Sequence, residues 1–328
     1  MNERDSVIRE FADAAGWGAA QVAPIVGDAS FRRYFRLIEP SRHAILMDAP
    51  PPEEDPRPFI DVAKYLTGQG LRAPEILAAD ADAGLVLLED FGDVRMRETV
   101  DASDAETERA VYTRAIETLA QLHACPAARV PLYDRAVYQR EAGLLTEWYC
   151  AARGLDVDVA GYAQAWDKVL DTMDAAAPQV TVLRDYHAEN IMLLEDGGQG
   201  LLDFQDALVG DPAYDLVSLL QDARRDVAPA LEAEMIAHYR ALANPAYDFD
   251  TAYHVLGAQR NAKIIGIFVR LWKRDSKPRY PLMIPRVWDA LERDLKHSAL
   301  APVAQWFDAN IPAELRDPAG TLGGEFAL

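Results

Sequence analysis

Leu183-Arg184-Asp185-Tyr186-His187-Ala188-Glu189-Asn190, continued by the apolar run Ile191-Met192-Leu193-Leu194 and then by Leu202-Asp203-Phe204-Gln205-Asp206, decides how the chain is read. Two short strand-like runs, Ile191 to Leu194 and Gly200 to Leu202, are flanked here by loops dense in Asp, His and Asn. Phosphoryl transfer asks for such groups. An aspartate must orient the attacking hydroxyl and accept its proton, and hard oxygen ligands must hold magnesium against nucleotide phosphates. Asp185 is the candidate base, and Asn190 and Asp203 are the candidate metal ligands. Each has an ordinary structural use as well: an Asx-turn for Asp185 and Asn190, a loop cap for Asp203. Joint order and spacing favour the chemical reading. A kinase catalytic loop carries its metal-binding asparagine five positions after its aspartate, an interval that Asp185 and Asn190 keep, and Asp203 heads Asp-Phe-Gln where protein kinases have Asp-Phe-Gly.

Upstream of this stretch the chain reads as strand-rich. Val7, Ile8, Phe11 and Ala15 mark an amphipathic helix over 2–16 that stops at Gly16. Val22 to Val26, Tyr34 to Ile38 and His43 to Met47 then predict three antiparallel strands, separated by Gly27-Asp28-Ala29-Ser30 and by Pro40-Ser41. The proline-rich Pro50 to Pro56 precedes a helix near 57–68, and strands at Glu75 to Ala78 and Leu85 to Leu88 lead into the break Glu89-Asp90-Phe91-Gly92-Asp93. Beyond it the periodicity is helical near 104–124, 134–152, 159–176, 228–243, 250–272 and 284–299. The expectation is an α+β fold with two lobes: an antiparallel-sheet lobe over 1–90 and a larger, mainly helical lobe over 91–328.

Composition agrees with a folded protein of this size. At 328 residues the chain exceeds the usual size of one hydrophobic core, and 50% apolar with 26% charged residues describes a globular chain. With 33 Lys+Arg against 53 Asp+Glu, the net charge of -20 repels nucleic-acid backbones and argues against nucleic-acid binding as the main role. Cys125 and Cys150 lack metal-ligand spacing and suggest no disulfide framework. MNERDSVIREF has no apolar signal core, and no later apolar run approaches membrane-spanning length, so the cytoplasm is the expected location. No obligate protein partner is inferred. The scattered His43, His123, His238, His254 and His297 read as structural or solvated.

The catalytic stretch, the later Gly210-Asp211-Pro212-Ala213-Tyr214-Asp215-Leu216 and the hinge-like Leu87-Leu88-Glu89-Asp90-Phe91-Gly92 together resemble the aminoglycoside phosphotransferase and choline kinase superfamily over nearly the whole chain. That family usually writes its loop His-Gly-Asp; Leu183-Arg184-Asp185 stands here instead. Gly27 to Arg36 followed by Met47-Asp48-Ala49-Pro50-Pro51, with Gly266 to Leu271 and Lys277-Pro278-Arg279-Tyr280, is similar to the sugar kinases of bacterial cell-wall recycling. Those enzymes phosphorylate N-acetylmuramic acid and N-acetylglucosamine at the anomeric hydroxyl. The resemblance implies ATP and Mg2+ as cofactors, a protein-kinase-like fold and a sugar 1-phosphate product for conversion to a UDP-sugar. It also implies that Asp211 and Asp215 brace the active-site loop by capping the following helix.

In that reading Gly27, Asp28, Ala29 and Ser30 turn over the triphosphate, and the backbone around Leu88, Glu89 and Phe91 meets adenine. A simple hairpin turn and an interlobe linker are the structural alternatives. The third-strand lysine of a kinase is missing, since Ala44-Ile45-Leu46-Met47 fills the place of Val-Ala-Ile-Lys. Arg33 or Arg36 is the expected substitute. Sugar contacts are expected from Tyr186, His187, Glu189, Gln205 and Asp206, and from Glu147 with Trp148 and Tyr149. Arg184, Arg260 and Arg270 are candidates for the lactyl carboxylate, because a guanidinium binds carboxylates bidentately. Two alternatives stay open: a kinase for choline or an aminoglycoside, and a silent nucleotide-binding protein suggested by Met47.

Overall fold

The computed structural model describes residues 3–25, 31–173 and 175–316. The chain forms two compact units, one of 1–111 with 188–207 and one of 112–187 with 208–328. This division runs past residue 90 and gives the hairpin of the Asn190–Asp203 stretch to the first unit.

The first unit is built on a five-stranded antiparallel sheet of order β1-β2-β3-β5-β4, with β1 Gln21–Ile25, β2 Arg33–Glu39, β3 Arg42–Asp48, β4 Ile76–Asp80 and β5 Leu85–Glu89. Alternation gives the sheet two faces. One face carries Leu37, Ala44, Leu46, Leu85 and Leu87, which bury against Ile8, Ala12 and Trp17 of and after α1 (Glu3–Ala14). Gly16, at φ 80, takes the left-handed turn that ends this helix region. Met47, paired with Tyr34 and Val86, belongs to the other face and is fully buried. Helix α2 (Arg57–Gly68) buries Phe59, Ile60, Val62, Ala63 and Leu66, and Phe59 stacks on Phe204 with ring centroids 4.9 Å apart. Gly84 is required at its turn: φ is 71, and a Cβ would stand 2.0 Å from the Ala49 carbonyl oxygen.

The short α3 (Met96–Asp101) completes the connection to α4 (Ala105–Ala124), within which the chain passes to the second unit. The later hairpin returns to the first unit, its strands here called β7 (Ile191–Leu193) and β8 (Gln199–Leu201) in chain order after β6 (Val180–Val182). Its edges explain the attachment: the Leu193 amide donates to the Val94 carbonyl, and the Leu201 amide to that of Arg72.

In the second unit β6 pairs antiparallel with β9 (Leu208–Gly210). Around them lie α5 (Arg135–Ala142), α6 (Val159–Leu170), α7 (Ala213–Leu220), α8 (Pro229–Ala243), α9 (Phe249–Lys273), α10 (Ile284–Asp294) and α11 (Ala301–Asn310). The 25-residue α9 is its central element, buried along most of its length. It lies so close to the segment after α5 that a Cβ at Gly266 would stand 2.2 Å from the Leu144 carbonyl oxygen. Two expected helices are shorter than the periodicity suggested. They end at Leu170 and Asp294, whereas the stretch expected over 134–152 is helical to 152, with a turn at Gly143 and a wider π-helical segment over Leu145–Cys150. Among the described residues no helix is long and apolar enough to cross a membrane.

Candidate active site

In the first unit, Asn190 closes the 3₁₀ turn Ala188–Asn190 and Asp203 follows β8 at φ 57, a left-handed conformation that Asp tolerates better than most residues. The Leu202 amide donates to the Asn190 carbonyl across the hairpin, bringing the two side chains together: Asn190 Nδ2 lies 3.5 Å from Asp203 Oδ2. The Asp203 side chain is 45% exposed, and Gln205 Nε2 donates to its Oδ1 at 2.9 Å and to Asp206 at 3.3 Å. Among the described residues no cluster of three His, Cys, Asp or Glu could hold a metal ion. One exposed carboxylate with one amide fits Mg2+ nonetheless, because that ion keeps several waters and takes its remaining ligands from substrate phosphates.

A cation that sequence reading passed over stands beside this pair. Arg32 lies 3.7 Å from Asp203 and 3.8 Å from Glu54. Nearby, burial raises the Tyr34 phenol pKa, with Arg32 opposing and Asp203 and Glu54 reinforcing the shift. Arg33 points to the opposite face, as strand alternation requires, where Asp48 holds it together with Arg4 of α1. The phosphate contact expected of Arg33 is therefore not supported by its placement. Arg36 is engaged by Asp90 at 2.7 Å and Asp93 at 2.8 Å, which leaves it as a brace of the segment after β5. The available signal for Arg32 was its place just before β2: if the strand's alternation is extended back by one residue, position 32 falls on the face of Tyr34 and Arg36, opposite Arg33.

Among the hinge residues, Leu88 is buried between Ile45 and Ile76, Glu89 pairs with Arg72 at 2.8 Å, and Phe91 packs against Gly200. Gly27, Asp28, Ala29 and Ser30 lie outside the described residues.

In the second unit, Asp185 sits half-buried in a tight loop, its amide donating to the Leu183 carbonyl at 2.9 Å and its carbonyl accepting from the His187 amide at 3.1 Å. Asp215, fully buried on α7, accepts from the amides of Leu183 at 2.6 Å and Arg184 at 2.8 Å. Burial pushes its pKa up to about 7 against these donors. The brace expected of Asp215 thus runs directly to the loop and not through a helix cap. Asp211 does cap, accepting from the Ala213 amide at 2.9 Å, and also takes the Tyr247 hydroxyl at 3.0 Å.

The expected sugar contacts scatter. Tyr186 is buried, with its hydroxyl donating to the Ala115 carbonyl, and buried His187 faces Arg224 at 3.1 Å. Both are loop supports in this arrangement. Glu189 pairs with Arg97 of α3, Arg184 with Glu141, and Arg260 donates to Ser218 at 2.9 Å. Arg270 is a different case: burial lowers its pKa, Arg274 adds to the effect, and Asp275 and Glu147 of the π-turn oppose it. Glu147, Gln205 and Asp206 remain at least partly exposed.

A five-stranded antiparallel sheet, a mainly helical second unit and a carboxylate–amide hairpin define a kinase-like phosphotransferase fold. The family model of the phosphotransferase enzyme family matches residues 21–253, and the chain belongs to that family. It is 36% identical to an N-acetylmuramate/N-acetylglucosamine kinase of Caulobacter vibrioides over 96% of this chain and 99% of that one. It is 39% identical to a protein of the same name from Pseudomonas aeruginosa, over 88% of each. Among solved structures, a choline kinase of Streptococcus pneumoniae matches with a TM-score of 0.65 at 14% identity, covering 92% of this chain and 99% of that one. An ADP-bound aminoglycoside phosphotransferase matches with a TM-score of 0.59 at 14% identity, covering 88% and 94%. At such identities these two report the fold alone.

Proposed function

We propose that this phosphotransferase moves the γ-phosphoryl group of ATP to the anomeric hydroxyl of N-acetylmuramic acid and N-acetylglucosamine, in the cytoplasm, giving the sugar 1-phosphate. Identity of 36% across nearly the full length of a kinase named for both sugars carries this reading. Asp185 orients the acceptor hydroxyl and takes its proton. Asn190 and Asp203 would hold Mg2+, which when bound neutralises charge on the phosphates. Arg32 takes the phosphate contact that a third-strand lysine makes in other kinases, since the buried Met47 cannot carry charge. The anomeric hydroxyl is more acidic than other ring alcohols, so a modest carboxylate base suffices where positioning does most of the work.

The test is ATP consumption with Mg2+ and a panel of acceptors. Turnover is expected with both free sugars and none with their methyl glycosides, and the product should regain reducing power on mild acid hydrolysis. Efficient phosphorylation of a methyl glycoside, of choline or of an aminoglycoside would refute the sugar 1-kinase reading. No turnover with any acceptor would favour a silent nucleotide-binding protein.

A further inference from the structure

Arg184, the residue just before Asp185, is held at every polar point of its backbone and at its side chain. At φ 70 it occupies the left-handed region that disfavours a long side chain. Its amide donates to Asp215, its carbonyl accepts from Ser218 Oγ at 3.1 Å, and its guanidinium reaches Glu141 of α5. The guanidinium also lies 5.5 Å from the centre of the Tyr133 ring. Glu141 is itself 7% exposed. Its second oxygen accepts from the Tyr133 hydroxyl and lies 3.0 Å from Lys263 Nζ of α9, which also donates to the Tyr214 hydroxyl at 3.2 Å. One interior carboxylate therefore joins two cations, one from the loop and one from the central helix. Burial would raise the Glu141 pKa, but Lys263 and Arg184 outweigh it and keep the group ionised.

Interior charges are expensive, and apolar packing would stabilise such a junction at least as well. What a charged junction supplies is a fixed geometry. The tie is made at the residue from which Asp185 extends, and it links that residue's side chain to α5 and, through Glu141, to α9.

We infer that Glu141 is a positioning residue for phosphoryl transfer, holding Arg184 so that the following peptide presents Asp185 to the acceptor. This rests on the reading of Asp185 as the base. Lys263 balances the Glu141 charge from the far side, and Tyr133 fixes its second oxygen.

The experiment measures kcat and the KM for ATP, with N-acetylmuramic acid as acceptor, for Glu141→Gln, Arg184→Met, their double variant, Tyr133→Phe and Asp185→Asn. Glu141→Gln is expected to lower kcat by about 10²-fold, the cost of misplacing a reacting group by about an ångström, with the KM for ATP nearly unchanged. The double variant should be no slower than the slower single, because both remove the same tie. Tyr133→Phe, which keeps the carboxylate and both cations, should lower kcat a few-fold and carries the test if Glu141→Gln does not fold. An unchanged kcat in Glu141→Gln or Tyr133→Phe would overturn the inference, as would losses that multiply in the double variant or a KM for ATP that rises with the fall in kcat. Normal turnover by Asp185→Asn would instead sink the base assignment, whereas an inactive Asp185→Asn beside a normal Glu141→Gln would sink this inference alone.

Discussion

The hairpin that carries Asn190 and Asp203 and the loop that carries Asp185 lie only a few residues apart in the chain but are built in opposite ways. Asp203 is exposed, its side-chain neighbours are polar and mostly part-exposed, and Arg32 stands beside it. The Asp185 loop is held by the fully buried Asp215 and by the Arg184–Glu141–Lys263 junction. A group that must exchange water and phosphate ligands has to remain open to solvent. A group that must aim one oxygen at a hydroxyl gains from a rigid, dry support. The contrast predicts that hairpin variants lose activity without stability, whereas the supports of the loop couple the two.

The largest effect is expected at Asp185 itself. Asp185→Asn should lower turnover by roughly 10²–10⁴-fold, the range for a positioned general base, and leave ATP affinity nearly unchanged; single-turnover kinetics beside nucleotide titration checks this. Asp203→Ala should cost about 10²–10³-fold in kcat/KM and abolish the Mg2+ dependence of nucleotide binding. The thermal stability of Asp203→Asn, which keeps a residue that tolerates the left-handed backbone at φ 57, should stay within about 0.5 kcal/mol of the parent, as for other exposed substitutions. A destabilised Asp203→Asn would break the contrast.

The buried side of the comparison also makes a prediction about pH. Asp294 of α10 accepts from His254 at 2.9 Å and Gln221 at 3.1 Å, and burial pushes its pKa up to about 6. The His254 pKa is raised in turn, chiefly by its bond to Asp294. Because the folded state holds these protons more tightly than the unfolded chain does, the carboxyl's contribution is fully present below about pH 4 and is lost as pH rises through about 6. At about 1.4 kcal/mol for each pH unit between those values, the loss is of the order of 3 kcal/mol. The Tm should therefore be higher near pH 5 than near pH 8, and Asp294→Asn should narrow the difference in calorimetry. An unchanged difference would remove Asp294 from the account.

The smallest effect separates two neighbouring arginines. Arg32→Met should raise the KM for ATP by about ten-fold, as expected for one lost charge-assisted phosphate contact. Arg33→Met should leave that KM alone and act on stability through Asp48. The reverse pattern would return the phosphate contact to Arg33.

Much of the fold was legible in the residues. The five sheet strands appear within one or two residues of their expected bounds, because each is a short, largely apolar run bounded by Gly, Pro or Asp. Helix α7 was not legible: all eight of its residues are buried, so it shows no amphipathic period. Strands β6 and β9, of three residues each, are too short to carry a pattern. Among candidate site residues, the spacing of Asp185, Asn190 and Asp203 could be read because a loop and a hairpin fix it locally. The partners of Tyr186, Glu189 and Arg184 could not. Ala115, Arg97 and Glu141 lie 71, 92 and 43 positions away, distances at which only packing decides who meets whom.

The sequence by itself determined the order of the sheet lobe and the helical lobe, the phosphotransferase character and the spacing of Asp185, Asn190 and Asp203, because these follow from local periodicity and from short, fixed intervals. Tertiary structure alone decided which arginine stands beside Asp203, which carboxylate holds the loop and which polar side chains are spent on support. Those outcomes depend on the face a strand turns inward and on which distant helix closes over a buried charge, and neither is encoded within the few residues around it.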